Sequence, residues 1–323
     1  MQSIESAADV HGLWAAIPMP WTAAGRLDES MLARNADRLA AARVDGIYTT
    51  DSDGEFYAIE LDEFRQVATA FARAMSAVGC RPQIGVTWTN TRGIIDRMKV
   101  CLDLGINTFH ICYPYWMPLN AADVQRFWAD LAEAAPAARW IHYNTPRGHV
   151  RMAGAEYRRL AAEFPEQFIG TKLGTQNFLE LSDIIGATPH LSHILTDFTV
   201  VPGMMLGGRG TYSFWVNTLP RWQRRLVDLC NQREWEAAMA MQRKFNLWER
   251  ACVEPHVRRG YLHGIIGKAR AAASGFLEDD GFTRAPYQPM PATDVKQLAA
   301  DFNQWWAEEL VEEEIEFRDP RRC

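Results

Sequence analysis

A lysine and a tyrosine, each at the end of a short apolar segment, are the residues best suited to covalent chemistry. Lys172 ends segment 168–172, and Tyr143 ends the preceding segment, 140–143. Burial lowers the pKa of a lysine amine from about 10.4 toward 7, which creates a nucleophile for a carbonyl carbon. A phenol beside it can relay the protons that imine formation requires. The pair predicts Schiff-base chemistry; the alternatives are a surface or ion-paired lysine and a core tyrosine.

A turn of small and acidic residues after the second apolar segment predicts a place for a carboxylate. It reads Asp51-Ser52-Asp53-Gly54-Glu55. Ser52 can extend the proton relay, and backbone N–H groups of such a turn can hold an anion. Asp53 would repel a substrate carboxylate unless its side chain turns away or is paired.

Histidines offer a rival chemistry, that of a metal-dependent aldolase. His110, Cys112 and His142 lie on adjoining apolar segments. Side chains alternate along a strand, so His142 points away from Tyr143 and toward the helices. The chain has no HExxH sequence. We therefore predict no metal site.

Eight short apolar segments alternate with longer segments of helical period, which is the pattern of βαβ units on a parallel sheet. The candidate strands are 13–17, 46–50, 83–87, 108–113, 140–144, 168–172, 193–196 and 210–215, and intervening helices include 29–43, 61–77, 92–104, 121–134 and 154–163. Eight such units predict an α/β fold, a (β/α)8 TIM barrel, over residues 1–217. Its active site would lie at the C-terminal strand ends.

Residues 218–323 read as helices without strands and predict a C-terminal extension packed on the barrel. The predicted helices are 221–231, 235–252, 257–274 and 294–311. No Gly/Ser/Pro-rich linker separates them from the barrel.

The composition argues against several classes of partner. The 323 residues are 48% hydrophobic and carry a net charge of -6 without a basic stripe, which disfavours nucleic-acid binding. No apolar run approaches the roughly 20 residues of a membrane span. Six scattered cysteines without a CxxC pair, and an N-terminus unlike a signal peptide, predict a reduced cytoplasmic protein.

Five short motifs carry a family resemblance. They are Ala15-Ala16-Ile17-Pro18-Met19, the turn from Asp51 to Glu55, Tyr143-Asn144-Thr145-Pro146, Gly170-Thr171-Lys172 and Gly207-Gly208-Arg209-Gly210. Over nearly the whole chain they resemble the dihydrodipicolinate synthase and N-acetylneuraminate lyase superfamily of class I aldolases. In that superfamily the turn has a Gly-Thr-Thr-Gly-Glu-like sequence, so Asp51, Ser52 and Asp53 replace its small and threonine residues.

The resemblance implies a homotetrameric barrel that works without metal or other cofactor. Lys172 would form a Schiff base with C2 of pyruvate or a larger 2-oxo acid, and Tyr143 would shuttle protons. The turn around Ser52 and Asp53 would hold the oxo-acid carboxylate.

Further segments are most similar to the hydratase-aldolases that split aromatic benzylidenepyruvates into pyruvate and an aromatic aldehyde. They are Pro114-Tyr115-Trp116-Met117, 127–136, Asn90-Thr91-Arg92, Phe214-Trp215 and 283–287. The similarity implies substrate contacts by Asp53, Gly54, Glu55, Asn90, Trp116, Thr145 and Trp215, the last as a pocket wall. Trp88, Trp116 and Trp215 near strand ends also favour a bulky aromatic substrate.

Two positions depart from the lysine-biosynthetic members of the superfamily. Gly148 stands where they carry an arginine, and Trp116 matches their second relay tyrosine. Dihydrodipicolinate synthesis is therefore not expected.

The implied reaction joins hydration to carbon–carbon cleavage. Lys172 attacks the 2-oxo carbon, and Glu55 or a bound water assists hydration of the double bond. Tyr143 then helps to deprotonate the new hydroxyl, which releases an aldehyde and a pyruvate enamine. Two alternatives stay open: a 2-oxo sugar-acid dehydratase or lyase on the same Schiff base, and a non-catalytic barrel that binds an oxo acid.

Overall fold

Within residues 1–145 and 147–317, which the computed structural model describes, eight parallel strands form a closed barrel. Each strand pairs with its neighbours in chain order, and β1 pairs with β8 to close the ring. The strands are β1 (Gly12–Ala16), β2 (Gly46–Thr49), β3 (Pro82–Gly85), β4 (Thr108–Ile111), β5 (Arg139–Asn144), β6 (Phe168–Leu173), β7 (Ser192–Thr196) and β8 (Gly210–Ser213). The predicted (β/α)8 TIM barrel is confirmed.

Amphipathic helices cover the outside of the barrel. They are α1 (Glu29–Ala41), α2 (Leu61–Val78), α3 (Thr91–Asp103), α4 (Ala121–Ala134), α5 (Gly154–Glu163), α6 (Phe178–Ala187) and α7 (Val200–Met205). Side-chain caps fix where several of them begin: Asp28 accepts from the Met31 N–H at 2.9 Å, and Asn120 caps α4. Caps of this kind satisfy N–H groups that the first helical turn leaves unpaired.

The C-terminal extension is helical, as predicted. It comprises α8 (Pro220–Asn231), α9 (Trp235–Trp248), a π-helical turn (Glu249–Val253), α10 (Glu254–Arg258), α11 (His263–Ser274), α12 (Ala292–Trp305) and α13 (Ala307–Phe317). The single helix predicted at 257–274 is interrupted, because the chain turns at Gly260 with a φ of 95°. The helix predicted at 294–311 is likewise divided, at the buried Trp306.

Three hydrophobic clusters of described residues support these parts, and one of them, which includes Trp14, Ile141 and Ile194, lies on the barrel strands. Another lies between the barrel and its helices, and the third is an aromatic cluster in the extension that includes Trp215, Trp248 and Trp306. The division of the chain at 217/218 stays a prediction. No helix among the described residues is both long and apolar enough to span a membrane.

Candidate active site

Lys172 lies near the C-terminal end of β6, beside Tyr143 on β5. The two residues are direct partners across the strands. Lys172 is 3% exposed, and its Nζ lies 4.3 Å from the centre of the Tyr143 ring. The structure thus brings the predicted nucleophile and the predicted proton shuttle together. Pro146, at the end of the tyrosine motif, lies outside the described residues.

A carboxylate, Asp51, forms a buried ion pair with Lys172. Lys172 Nζ donates to Asp51 Oδ2 at 2.8 Å and to the Tyr48 hydroxyl at 3.3 Å. Burial opposes the charged amine, but Asp51, Tyr48, Tyr143 and Asp53 together outweigh it and raise the pKa of Lys172 well above its ordinary value. Burial also opposes ionisation of Asp51, yet Lys172 and His110 lower the pKa of its carboxyl. The prediction of a lowered lysine pKa is therefore wrong for this arrangement.

A chain of buried polar side chains continues from the ion pair across the barrel. His110 on β4 contacts Asp51 Oδ2 through Nδ1 and Gln83 Oε1 through Nε2, each at 2.6 Å. Tyr212 on β8 donates to the same Gln83 oxygen at 2.7 Å. A carboxylate only accepts, so His110 Nδ1 donates the hydrogen that it shares with Asp51. Asp51 therefore accepts hydrogen bonds from both Lys172 and His110 on one oxygen.

The backbone before Asp51 directs its side chain into the barrel. Thr50 has a left-handed φ of 54°, a conformation that costs a non-glycine residue about 1–3 kcal/mol. Its hydroxyl donates to the carbonyl of Gly85 at 2.7 Å. A Cβ at Gly85 would lie 2.6 Å from Asp51 Oδ1, so this glycine leaves the space that the carboxylate fills.

A cavity of about 220 Å³ adjoins this ion pair at the C-terminal strand ends. Its walls contain five aromatic side chains: Phe56, Tyr57, Tyr115, Tyr143 and Tyr287. Ser52 and Thr145, two of the predicted site residues, line it, and so do Asp51 and Arg147. The start of α11 supplies one side of the cavity through His263 and Gly264.

Two polar atoms of cavity-lining residues lack a protein partner. The Tyr57 hydroxyl and His263 Nδ1 are buried and make no hydrogen bond to any described residue. Burial of a polar group without a partner is unfavourable, so these atoms are suited to bind a substrate oxygen or a water.

The remaining predicted substrate contacts are not among the cavity-lining residues: Asp53, Gly54, Glu55, Asn90, Trp116 and Trp215. Trp215 is fully buried, with its ring centre 4.9 Å from that of Trp248 and 5.1 Å from that of Trp306. It supports the extension core instead of forming a pocket wall. Trp116 is 76% exposed on the loop after β4.

The other residues of this set have structural contacts. Glu55 is 1% exposed and pairs with Lys268 of α11 at 2.5 Å, which leaves no free carboxylate for a hydration step. Asn90 caps α3 by accepting from the Gly93 N–H at 2.9 Å. Gly54 packs so closely that a Cβ would lie 2.3 Å from the Thr50 nitrogen.

Asp53 meets the extension instead of the cavity. A Cβ on Gly264 would lie 3.1 Å from the Asp53 Cα, so the start of α11 sits directly on this turn.

His142 points toward the helices, as predicted. Its Nδ1 lies 2.7 Å from the Tyr157 hydroxyl on α5, and burial lowers the pKa of the ring to about 3. Among the described residues, no three His, Cys, Asp or Glu side chains are grouped closely enough to hold a metal ion.

Sequence reasoning missed three kinds of site residue. Asp51 was visible as an unusual acid in the turn, but its direction depends on the left-handed Thr50. Gln83 and His110 alternate inward on their strands and could have been found by that pattern. His263 and Tyr287 come from the extension, and no local pattern connects them to the strand ends.

A family model and several curated relatives match this chain. The model of the Dihydrodipicolinate synthetase family matches residues 9–299. A trans-O-hydroxybenzylidenepyruvate hydratase-aldolase of Pseudomonas aeruginosa is 28% identical over 149 residues, and its counterpart in Pseudomonas sp. (strain C18) matches equally. The aligned segment spans 44% of this chain and 44% of these relatives.

Solved structures of the same fold cover most of the chain. YagE, a prophage protein of the dihydrodipicolinic acid synthase family from E. coli K12 in complex with pyruvate, is 21% identical, with a TM-score of 0.82 over 91% of this chain and 98% of YagE. PhdJ bound to a substrate intermediate is 21% identical, with a TM-score of 0.81 over 96% of this chain and 99% of PhdJ. N-acetylneuraminate lyase from Fusobacterium nucleatum is 18% identical, with a TM-score of 0.78 over 92% and 96%. With the family model spanning most of its length, this chain belongs to the Dihydrodipicolinate synthetase family.

Proposed function

We propose that this protein is a Schiff-base-forming lyase that cleaves an aromatic or other bulky 2-oxo acid to pyruvate and an aldehyde. The main support for this proposal is the buried Lys172 amine, which lies 4.3 Å from the centre of the Tyr143 ring and next to a cavity with five aromatic side chains. The imine itself serves as the electron sink for carbon–carbon cleavage, so the proposal includes no metal or other cofactor.

Lys172 and Tyr143 perform the covalent steps. The amine of Lys172 adds to the 2-oxo carbon, and the Tyr143 phenol passes protons between the carbinolamine, the imine and the substrate hydroxyl. Ser52 and Thr145 line the same cavity, and their hydroxyls are suited to hold the carboxylate of the oxo acid. Loss of the hydroxyl proton then breaks the adjacent carbon–carbon bond and leaves the pyruvate enamine on Lys172.

The aromatic side chains of the cavity favour an aromatic group in the part of the substrate that leaves as the aldehyde. Tyr57 and Tyr287 pack edge to face with ring centres 4.7 Å apart, and Phe56 meets Tyr115 in the same manner at 5.9 Å. An aryl group gains by joining such a cluster, whereas a polyhydroxylated chain would bury little apolar surface against these rings. This observation favours a benzylidenepyruvate-like substrate over a 2-oxo sugar acid.

The hydration step is assigned to a bound water. Glu55 is held by Lys268, whereas the unpartnered Tyr57 hydroxyl and His263 Nδ1 belong to residues that line the cavity. Both atoms are suited to position a water or the hydroxyl that it forms.

Borohydride trapping tests the covalent part of the proposal. Incubation with pyruvate and borohydride should yield one reduced pyruvate adduct, which peptide mass spectrometry locates at Lys172. Lys172→Ala should yield none. Failure of the wild-type protein to trap pyruvate would exclude the lyase and leave the oxo-acid-binding barrel. An adduct that persists in Lys172→Ala would exclude Lys172 as the nucleophile.

A substrate panel tests the specificity. Cleavage of benzylidenepyruvates should have a kcat/KM at least about tenfold above that for polar 2-oxo sugar acids, which corresponds to about 1.4 kcal/mol. The opposite ranking would favour the sugar-acid lyase.

The proposal extends to the assembly and location of the enzyme. We expect a homotetramer in the cytoplasm, with the 2-oxo acid and the aldehyde as its small-molecule partners. Light scattering at several protein concentrations measures the assembly, and a monomer under all conditions would contradict it.

A further inference from the structure

Asp51 contacts the nitrogen atom that the proposed function makes reactive. Its Oδ2 lies 2.8 Å from Lys172 Nζ and 2.6 Å from His110 Nδ1. The carboxylate is 3% exposed, and the site around it is shaped for it by the left-handed Thr50 and the absent side chain of Gly85. An acid held so specifically against a reactive amine needs a chemical explanation.

An ammonium group has no lone pair, so Lys172 must lose a proton before it attacks a carbonyl carbon. Asp51 is the acidic side chain in direct contact with Nζ. The Tyr48 hydroxyl is more distant, at 3.3 Å, and burial raises the pKa of that phenol well above its ordinary value. Tyr48 therefore stays protonated and does not accept the proton.

We propose that Asp51, held in place by His110, accepts the proton of Lys172 during imine formation and then serves as the counter-ion of the iminium. The inference rests on the proposed function, because it needs Lys172 to form the imine.

The proton transfers balance within the pair. The ammonium gives one proton to Asp51, and the free amine forms the nitrogen–C2 bond while the carbonyl π electrons move to oxygen. Asp51 returns that proton to the oxygen, directly or through Tyr143, and then takes a second proton from nitrogen. Protonation of the hydroxyl by this second proton breaks the carbon–oxygen bond and releases water. The third hydrogen stays on the iminium nitrogen, and Asp51 is again a carboxylate.

A pH-independent reaction follows from this internal transfer. Exchange of a proton between Lys172 and Asp51 leaves the total number of protons unchanged, so the reactive fraction does not depend on the solvent pH. Other ionisable groups surround the pair: Tyr48 on β2, His110 and Cys112 on and after β4, Tyr143 on β5, Tyr212 on β8 and Asp53 in the same turn. Burial raises the pKa of the Tyr212 phenol and that of the Cys112 thiol, so these two stay neutral near pH 7, and burial lowers the pKa of His110.

The test is the rate of imine formation at saturating pyruvate, measured by borohydride quenching at timed intervals from about pH 6 to pH 9. In the wild-type protein we expect less than about a threefold change over this range. In Asp51→Asn the proton must pass to solvent, so the rate should rise about tenfold per pH unit wherever Lys172 is still protonated, which makes the profile depend on pH where that of the wild type is flat. Asp51→Glu should restore part of the flat profile.

His110 acts through Asp51, as a positioning residue. His110→Phe, which removes the second donor to the carboxylate, should produce a smaller acid limb of the same sign. An unchanged pH profile in His110→Phe would limit His110 to a structural role and overturn its part of the proposal.

Glu249→Gln is the matched control. It also removes a buried carboxylate from an ion pair, with Arg270, but it does not touch Lys172, so its imine-formation profile should equal that of the wild type. An equal change in both variants would assign the effect to stability and overturn the inference.

The outcomes separate the inference from the proposed function. Absence of a wild-type adduct at Lys172 removes the function itself. A normal adduct with a wild-type rate that rises about tenfold per pH unit overturns only the role of Asp51, even if Asp51→Asn fails to fold. A pH profile of imine formation in Asp51→Asn that is identical to that of the wild type also overturns only the role of Asp51.

Discussion

Two buried carboxylates in this protein each pair with a cation, and their pKa values shift in opposite directions. Asp51 meets Lys172 at 2.8 Å in the barrel, and Glu249 meets Arg270 at 2.5 Å in the extension. Burial disfavours the ionised form of both. The interactions of Lys172 and His110 with Asp51, hydrogen bonds included, together overcome it and lower the pKa of Asp51, whereas burial and the nearby Asp197 outweigh Arg270 and raise the pKa of Glu249 to about 7.

The difference lies in the number of donors around each acid. Asp51 receives a second hydrogen bond, from His110, and remains ionised beside the amine of Lys172. Arg270 is shared between Glu249 and aromatic rings, including that of Phe214 at 4.5 Å. Two equally buried acids therefore differ in charge. Asp51 stays ionised in the reactive centre, and Glu249 is partly protonated in a structural contact.

Lys172→Met should have the largest effect, on activity. Without the amine no imine forms, so cleavage of a benzylidenepyruvate should fall by more than about ten-thousandfold, or roughly 5 kcal/mol. Steady-state assays of folded protein measure this loss. Residual activity within about a hundredfold of wild type would contradict the assignment of the covalent chemistry to Lys172 and its partner Asp51.

Arg270→Met should affect stability instead. It leaves Glu249 buried without its cation, which costs about 3–5 kcal/mol for a buried pair, toward the lower end because Glu249 takes up a proton. Urea unfolding measures the cost, and imine formation per folded molecule should not change. Imine formation that is tenfold slower, with an unchanged free energy of unfolding, would show that the Glu249–Arg270 pair serves the reaction and not stability.

The pH dependence of stability should distinguish the two acids. The folded pKa of Glu249 lies near 7, above its ordinary 4.5, so the folded state binds this proton more tightly than the unfolded state. Its contribution is present below pH 4.5 and is lost as the pH rises through 7, by roughly 3 kcal/mol in total. Asp51 has a lowered pKa, so its contribution is lost only as the pH falls below its ordinary 3.8.

Glu249→Gln isolates this effect. The free energy of unfolding of the variant minus that of the wild type should increase with pH between about 4.5 and 7.5, because other titrating groups cancel in the difference. A flat difference would show that Glu249 has an ordinary pKa.

Trp215→Phe should have the smallest effect. The smaller ring leaves space beside Trp248 and Trp306, at a cost of about 1–2 kcal/mol in the free energy of unfolding. Because Trp215 does not line the cavity, the KM for an aromatic substrate should stay within about twofold of wild type, since a uniform loss of binding would appear there. A severalfold higher KM would restore the pocket-wall hypothesis.

The barrel and its reactive pair were predictable because strand periodicity is a local signal. Apolar segments between helices located β5 and β6, and the barrel rule placed Tyr143 and Lys172 at their active ends. The direction of the Trp215 side chain could not be predicted from a local signal. β8 ends at Ser213, and the next residues turn into a short 3-10 helix (Trp215–Asn217) that directs the indole toward distant extension helices.

The acidic turn shows a second limit. Its sequence indicated contact with an anion, but the direction of Asp51 depends on one backbone angle at Thr50. That angle reverses the expected electrostatics at Lys172, since a lysine expected to be neutral is paired with a carboxylate.

The close seating of α11 on the turn has a consequence for how this enzyme can change. His263 and Gly264 line the cavity, while Lys268 and Arg270 on the same helix are fixed by Glu55 and Glu249. The helix thus holds its position through its middle and presents its first turn to the substrate. Under the proposed function, selectivity for the aldehyde half can therefore diverge through residues far in the sequence from Lys172, without altering the strands that carry the reaction.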